Sequence, residues 1–134
     1  MTAPLDGPVT MNIPFDATSA ARVRDALASW LGHRGSAPDV VEDARLVASE
    51  LVGNAVRHAE PLSNGTMLVR WRETGPNLDF EVCDGGGPTE PTVVEAAPED
   101  VGGRGLAIVE ALSARWWVER ASHLRRVHVQ LALD

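Results

Sequence analysis

From Asp39 to about Ala59 the chain carries one long helical pattern, and part of that helix is polar in a specific way. The stretch ELVGNAVRHA puts Glu50, Asn54 and His58 four residues apart each time. At about 100° of rotation per residue, this spacing stacks a carboxylate, an amide and an imidazole on one face. Asn and His are indifferent helix formers, so propensity does not explain them. On a helical wheel Arg57 joins the three in a continuous polar arc. Leu51, Ala44, Ala55, Ala48, Ala59, Val52 and Val56 fill most of the remainder. The plain reading is an amphipathic helix with its polar arc in water. Against it, Leu46 and Val47 lie in the same arc one turn earlier, so the polar stripe emerges from apolar surface, as at a pocket floor.

Such a helix needs a broad apolar surface to pack on, and the rest of the chain reads as strands that can supply one. Met1 to Pro8 looks like a loose tail, and residues 9–134 read as a single domain. Val9 to Phe15 suits a strand with Pro14 at its end. Asp16 and Thr18 are N-cap candidates for a first helix reaching about Leu31. Asp39 caps the second, with Glu42 three residues on in a capping-box-like pattern. Thr66 to Thr74 and Leu78 to Asp84 form one antiparallel hairpin across a TGPN turn, and Arg115 to Ala121 and Arg126 to Leu133 form another. In the last strand Val127, Val129, Leu131 and Leu133 share a face. Gly105 to Ser113 is a short apolar helix. Between Asp84 and that helix, Gly85 to Gly103 is Gly- and Pro-rich and irregular, which suits a lid or a disordered loop. The order is strand, two helices, two strands, helix, two strands. It predicts an α+β, two-layer arrangement, a mixed and mostly antiparallel sheet covered on one face by helices.

Charge excludes some functions. The net charge of −7 over 134 residues argues against direct, sequence-independent nucleic-acid binding. All twelve basic side chains other than histidine are Arg. A Walker-type lysine is therefore excluded, and a bound phosphate must meet Arg or backbone N–H groups. Cys83 is the sole cysteine, which excludes an internal disulfide or a cysteine zinc cluster and reads as a small strand residue. No signal peptide or membrane span is visible, and the expected compartment is the cytoplasm.

Two further motifs flank the irregular segment. Asp84-Gly85-Gly86-Gly87 leaves a strand, and glycines without Cβ let a flat ligand approach an acceptor-only carboxylate that suits an exocyclic amine such as that of adenine. Asp-Gly is equally a common turn. Gly102-Gly103-Arg104-Gly105-Leu106 precedes the last helix, where N–H groups can hold anions, and Arg104 adds positive charge. Read plainly, it is a loop end with a poor cap.

In this order the three motifs resemble those of the Bergerat-type ATP-binding domain shared by histidine kinases, Hsp90, gyrase and MutL. The chain is most similar to the small bacterial anti-sigma factor and serine-protein kinase branch, over about Val9 to Leu133. Its all-Arg, Ala-rich composition resembles that of high-GC actinobacteria. The N box is Glu50 to Ala59, the first glycine box begins at Asp84 and Gly86, and the second is Gly103-Arg104-Gly105-Leu106.

The resemblance implies ATP and Mg²⁺ as cofactors. Glu50 is then the general base, Asn54 the Mg²⁺ ligand, and Asp84 the reader of the adenine amine, with Gly86 giving the base room. Gly103, Gly105 and Leu106 supply backbone contacts to phosphate, and Arg57 and Arg104 side-chain contacts. His58 is structural. The implied function is a serine/threonine kinase that phosphorylates an anti-sigma antagonist of STAS type and sequesters a sigma factor. The alternative is a docking module that holds ATP, or nothing, and regulates by binding alone. Homodimerisation is left open. Two positions depart from the family pattern. Pro88 stands where the first glycine box has glycine, and Ser122-His123-Leu124-Arg125 replaces a glycine-containing motif before the final strand.

Overall fold

Six strands form one sheet in the computed structural model, in the order β1-β2-β3-β6-β5-β4. They are β1 (Val9–Pro14), β2 (Thr66–Thr74), β3 (Asn77–Asp84), β4 (Thr92–Val94), β5 (Arg115–Ala121) and β6 (Leu124–Ala132). Among the described residues the helices are α1 (Ser19–His33), α2 (Pro38–His58) and α3 (Arg104–Leu112). The structure describes residues 8–86, 92–94, 104–121 and 123–133. Every pairing between the described strands is antiparallel, so the mixed component of the expected sheet is not used.

Strand alternation decides which residues face the helices. Met67, Val69 and Trp71 on β2, Leu78, Phe80 and Val82 on β3, and Val127, Val129 and Leu131 on β6 are all buried. They meet across the sheet as register partners: Val82 faces Val127, Phe80 faces Val129 and Leu78 faces Leu131. Trp71 and Phe80 stack at 5.9 Å between ring centres. Helix α2 closes this face with Ala44, Val47, Ala48, Leu51, Val52 and Ala55, packs on α1 and α3, and touches β3 and β6. Val23, Leu27, Trp30 and Leu31 of α1 complete the core.

Helix starts differ from expectation. Ala37 is the N-cap of α2 and makes no side-chain cap bond; Pro38 opens the first turn and Asp39 lies inside it. Proline's fixed φ suits that place, and a carboxylate in the first turn complements the helix dipole without capping. Thr18 caps α1 without a side-chain bond. Its N–H and hydroxyl both donate to Asp16 Oδ1, at 2.8 and 2.9 Å.

The segment expected to be irregular contains some framework. Gly85 N–H donates to Glu60 O at 2.7 Å, Glu60 and Gly86 form an isolated antiparallel bridge, and Thr92–Val94 pairs with β5. The remainder of the expected lid, 87–91 and 95–103, lies outside the described residues, as does the expected N-terminal tail up to residue 7. Cys83 is buried on β3, and desolvation pushes its thiol above the ordinary value. No described helix is long and apolar enough to cross a membrane.

Candidate functional site

The inward stripes of β3 and β6 do not end in apolar residues. Two residues beyond Val82 comes Asp84, and two residues before Val127 comes Arg125; the two are register partners. Both point into the helix layer, where α2 presents Asn54. All three side chains are buried, Asp84 at 0%, Asn54 at 1% and Arg125 at 5% exposure.

Arg125 connects the other two. Its Nε donates to Asp84 Oδ2 at 3.1 Å, and one terminal nitrogen lies 3.0 Å from that oxygen and donates to Asn54 Oδ1 at 3.0 Å. Gly86 N–H donates to the other Asp84 oxygen at 2.7 Å. Burial pushes the Asp84 carboxyl above its ordinary value, while the Arg125 charge and the Gly86 N–H pull it partly back.

The glycines after Asp84 are held by the fold. A Cβ on Gly85 would overlap the Pro61 carbonyl oxygen. Gly86 has φ +59° and lies against the start of β6, where a Cβ would stand 3.3 Å from Arg125 Cβ and 3.2 Å from the Leu124 carbonyl carbon. The open space expected around Gly86 is, on this side, filled by β6.

Along α2 the polar arc divides. Asn54 faces the sheet, Glu50 is half-buried one turn earlier, and Arg57 and His58 are exposed in the last turn. Among the described residues no hydrogen bond or ion pair fixes Glu50. The Arg57 guanidinium folds back over Gly53, where a Cβ would lie 2.9 Å from its nitrogen. His58, expected to be packed or bonded near the site, is exposed in the last turn, and among the described residues no hydrogen bond holds it. Leu46, one turn before Glu50, is 42% exposed while Val47 is buried, so the apolar start of the arc is half open and half packed.

Arg104, Gly105 and Leu106 form the first turn of α3, and α3 packs on α2. Gly103 lies outside the described residues. Beside the Asp84 end of the sheet is a cavity of about 690 Å³, bordered by Glu60, Asn64, Gly85, Gly86, His123 and Leu124. A second groove, about 470 Å³, lies across β2, β3 and β6, with Arg70, Glu81, Trp117 and His128 of the outer sheet face among its walls. Among the described residues no group of three or more His, Cys, Asp or Glu side chains could hold a metal by itself.

The model of one known family, described as the histidine kinase-like ATPase domain, matches residues 13–131. The chain belongs to that family. Relatives of this ATPase domain include the serine-protein kinases RsbW of Staphylococcus aureus strains JH9 and Newman. Each is 29% identical over 76 residues, 57% of this chain and 43% of the kinase. The match thus spans less than half the length of those relatives. Among solved structures, that of the RsbU and RsbW domains of Rv1364c from Mycobacterium tuberculosis superposes with a TM-score of 0.73 at 22% identity. It covers 98% of this chain and 32% of that one, a likeness of fold.

Arg125 is the site residue that the motifs did not disclose. One signal was available. The buried stripe Leu131, Val129, Val127, continued by two residues, lands on Arg125, and a charge on a buried stripe demands a partner.

Proposed function

We propose that this ATPase domain is an ATP-dependent serine/threonine-protein kinase that acts as an anti-sigma factor in a partner-switching system. Its protein substrate is an anti-sigma antagonist of STAS type, and its second partner is a sigma factor. The observation that carries the reading is the convergence of Asn54 and Asp84, far apart in sequence, on one buried point at the end of the sheet. Glu50 stands one turn from Asn54 on the same helix. The RsbW relatives, named as serine-protein kinases, support the same class of reaction.

The roles follow from donor chemistry. Asp84 is an acceptor suited to the adenine amine, and the α3 N-terminus with Gly103, Arg104, Gly105 and Leu106 suits phosphate. Arg57, exposed on the N-box helix, adds a positive charge. Glu50 accepts or orients the proton of the attacking hydroxyl. Asn54 fits Mg²⁺ as an amide-oxygen ligand, and a nucleotide-borne Mg²⁺ needs only one or two protein ligands, consistent with the absence of a carboxylate cage among the described residues. When bound, that ion supplies charge neutralisation at the phosphates.

A second reading is a docking module that regulates without phosphoryl transfer. It is favoured by Arg125, which already engages both Asp84 and Asn54. ATP titration with and without Mg²⁺, followed by phosphate transfer to candidate antagonists, separates the two. Mg²⁺-dependent binding with transfer to serine or threonine is the expected outcome. Binding without transfer to any antagonist that the protein captures would favour docking alone.

A further inference from the structure

Arg125 holds the two acceptors that the proposed site needs. Asp84 has to offer a carboxylate oxygen to a ligand amine, and Asn54 has to offer its amide oxygen to a metal. One guanidinium now donates to both. Its cationic N–H groups are chemically what an amine and a cation would supply together.

Stability does not account for this cluster. A buried ion pair gives little net stabilisation compared with apolar residues of similar volume, because desolvation of both charges offsets their attraction. The stripe of Val82–Val127, Phe80–Val129 and Leu78–Leu131 pairs shows that apolar register partners are readily accommodated on this face. The placement of Arg125 also matters. It is the second residue of β6, next to the β5–β6 turn in which His123 takes φ 65°. Its backbone is anchored by pairing with Asp84 and by the close approach of Gly86, so the long side chain is the part able to leave.

We infer that Arg125 is an internal competitor that sets nucleotide affinity by occupying Asp84 and Asn54 until ligand displaces it. The inference rests on the nucleotide reading above and deepens it. Apparent affinity equals intrinsic affinity multiplied by the fraction of molecules whose site is open. If the open fraction is about one tenth or less, removing the guanidinium tightens binding about 10-fold or more.

The test is calorimetric titration of ATP with Mg²⁺ into the full chain and into Arg125→Met, which keeps length and apolar bulk without the charge. Binding about 10-fold or more tighter in the variant, or binding only in the variant, is expected. A parent that binds as tightly as the variant, or more tightly, overturns the inference and leaves the nucleotide reading intact. Absence of binding in both folded proteins overturns the nucleotide reading and the inference with it. Should Arg125→Met fail to fold, the parent supplies the decision through NMR of its arginine side chains. The Arg125 Nε–H signal, protected by Asp84, is expected to shift or vanish as ATP and Mg²⁺ saturate the protein. An unchanged signal at saturation overturns the inference.

Discussion

Asn54 and Arg125 lie 71 residues apart in the chain, and a 3.0 Å hydrogen bond joins them across the boundary between helix layer and sheet. The bond ties the N-box helix to the start of β6, so substitutions at either residue reach packing and, on the proposed reading, ligand.

Asn54→Ala removes an acceptor from a buried guanidinium. Hydrogen bonds to charged groups contribute about 1.5–3 kcal/mol, and a loss of that size is expected in urea unfolding. The same variant should lose the Mg²⁺ dependence of ATP binding. Retention of full metal dependence would remove Asn54 from the metal assignment.

Glu50→Gln should separate stability from chemistry. Glu50 is half-buried and unpaired among the described residues, so the change in unfolding free energy should stay within about 0.5 kcal/mol. Phosphate transfer should fall by about 10²–10⁴-fold, the usual contribution of a general base, with ATP affinity unchanged. Normal transfer by this variant would exclude Glu50 as the base.

Adding a methyl group at Gly85 should harm the fold more than at Gly86. The Gly85 methyl would strike a backbone oxygen that cannot rotate away, an overpacking cost of about 1–3 kcal/mol or more. At Gly86 the left-handed φ costs an alanine about 1–2 kcal/mol, with only close contacts added. Thermal unfolding of the two alanine variants ranks them, and the reverse order would contradict the packing of Gly85 on Pro61.

The raised carboxyl of Asp84 gives a signed pH dependence. Burial, opposed by Arg125 and the Gly86 N–H, lifts it above 3.8, so the folded state binds this proton more readily than the unfolded chain does. Its contribution to stability is fully present below the unfolded value and is lost as pH rises through the raised folded value. The parent should therefore gain stability relative to Asp84→Asn as pH falls from neutral toward 4. Denaturant unfolding of both proteins across that range measures the difference, and a shrinking parent advantage on acidification would reverse the sign.

Periodicity made much of this architecture legible. The α2 stripe and the alternation of β3 and β6 are local patterns: Ala48, Leu51, Val127, Val129 and Leu131 are buried as they imply, whereas Asn54, read into the polar arc, is buried as well. Strand β4 was not legible, because Thr92–Val94 is too short to show alternation and gains its identity only from pairing with β5. Asp39 misled as a cap, since Pro38 can start a helix without one. For the site, Glu50, Asn54 and Asp84 stood out by spacing and by strand-end chemistry. Arg125 did not, because its significance lies in two partners that are 41 and 71 residues away.

The sheet order has a kinetic consequence. Strands β2 and β3 form one local hairpin and β5 and β6 another, each closing a short loop, whereas the seam between β3 and β6 joins distant parts of the chain. Long-range pairing of that kind carries the larger loop-closure entropy and is the slower event. Asp84 and Arg125 sit on opposite sides of that seam, so the site comes into existence only when the two hairpins dock. A chain with both hairpins formed but undocked has most of its secondary structure and no pocket. A nucleotide held at the proposed site would favour the docked state by mass action. In the central strands, occupancy of the proposed site and completion of the fold are therefore thermodynamically linked.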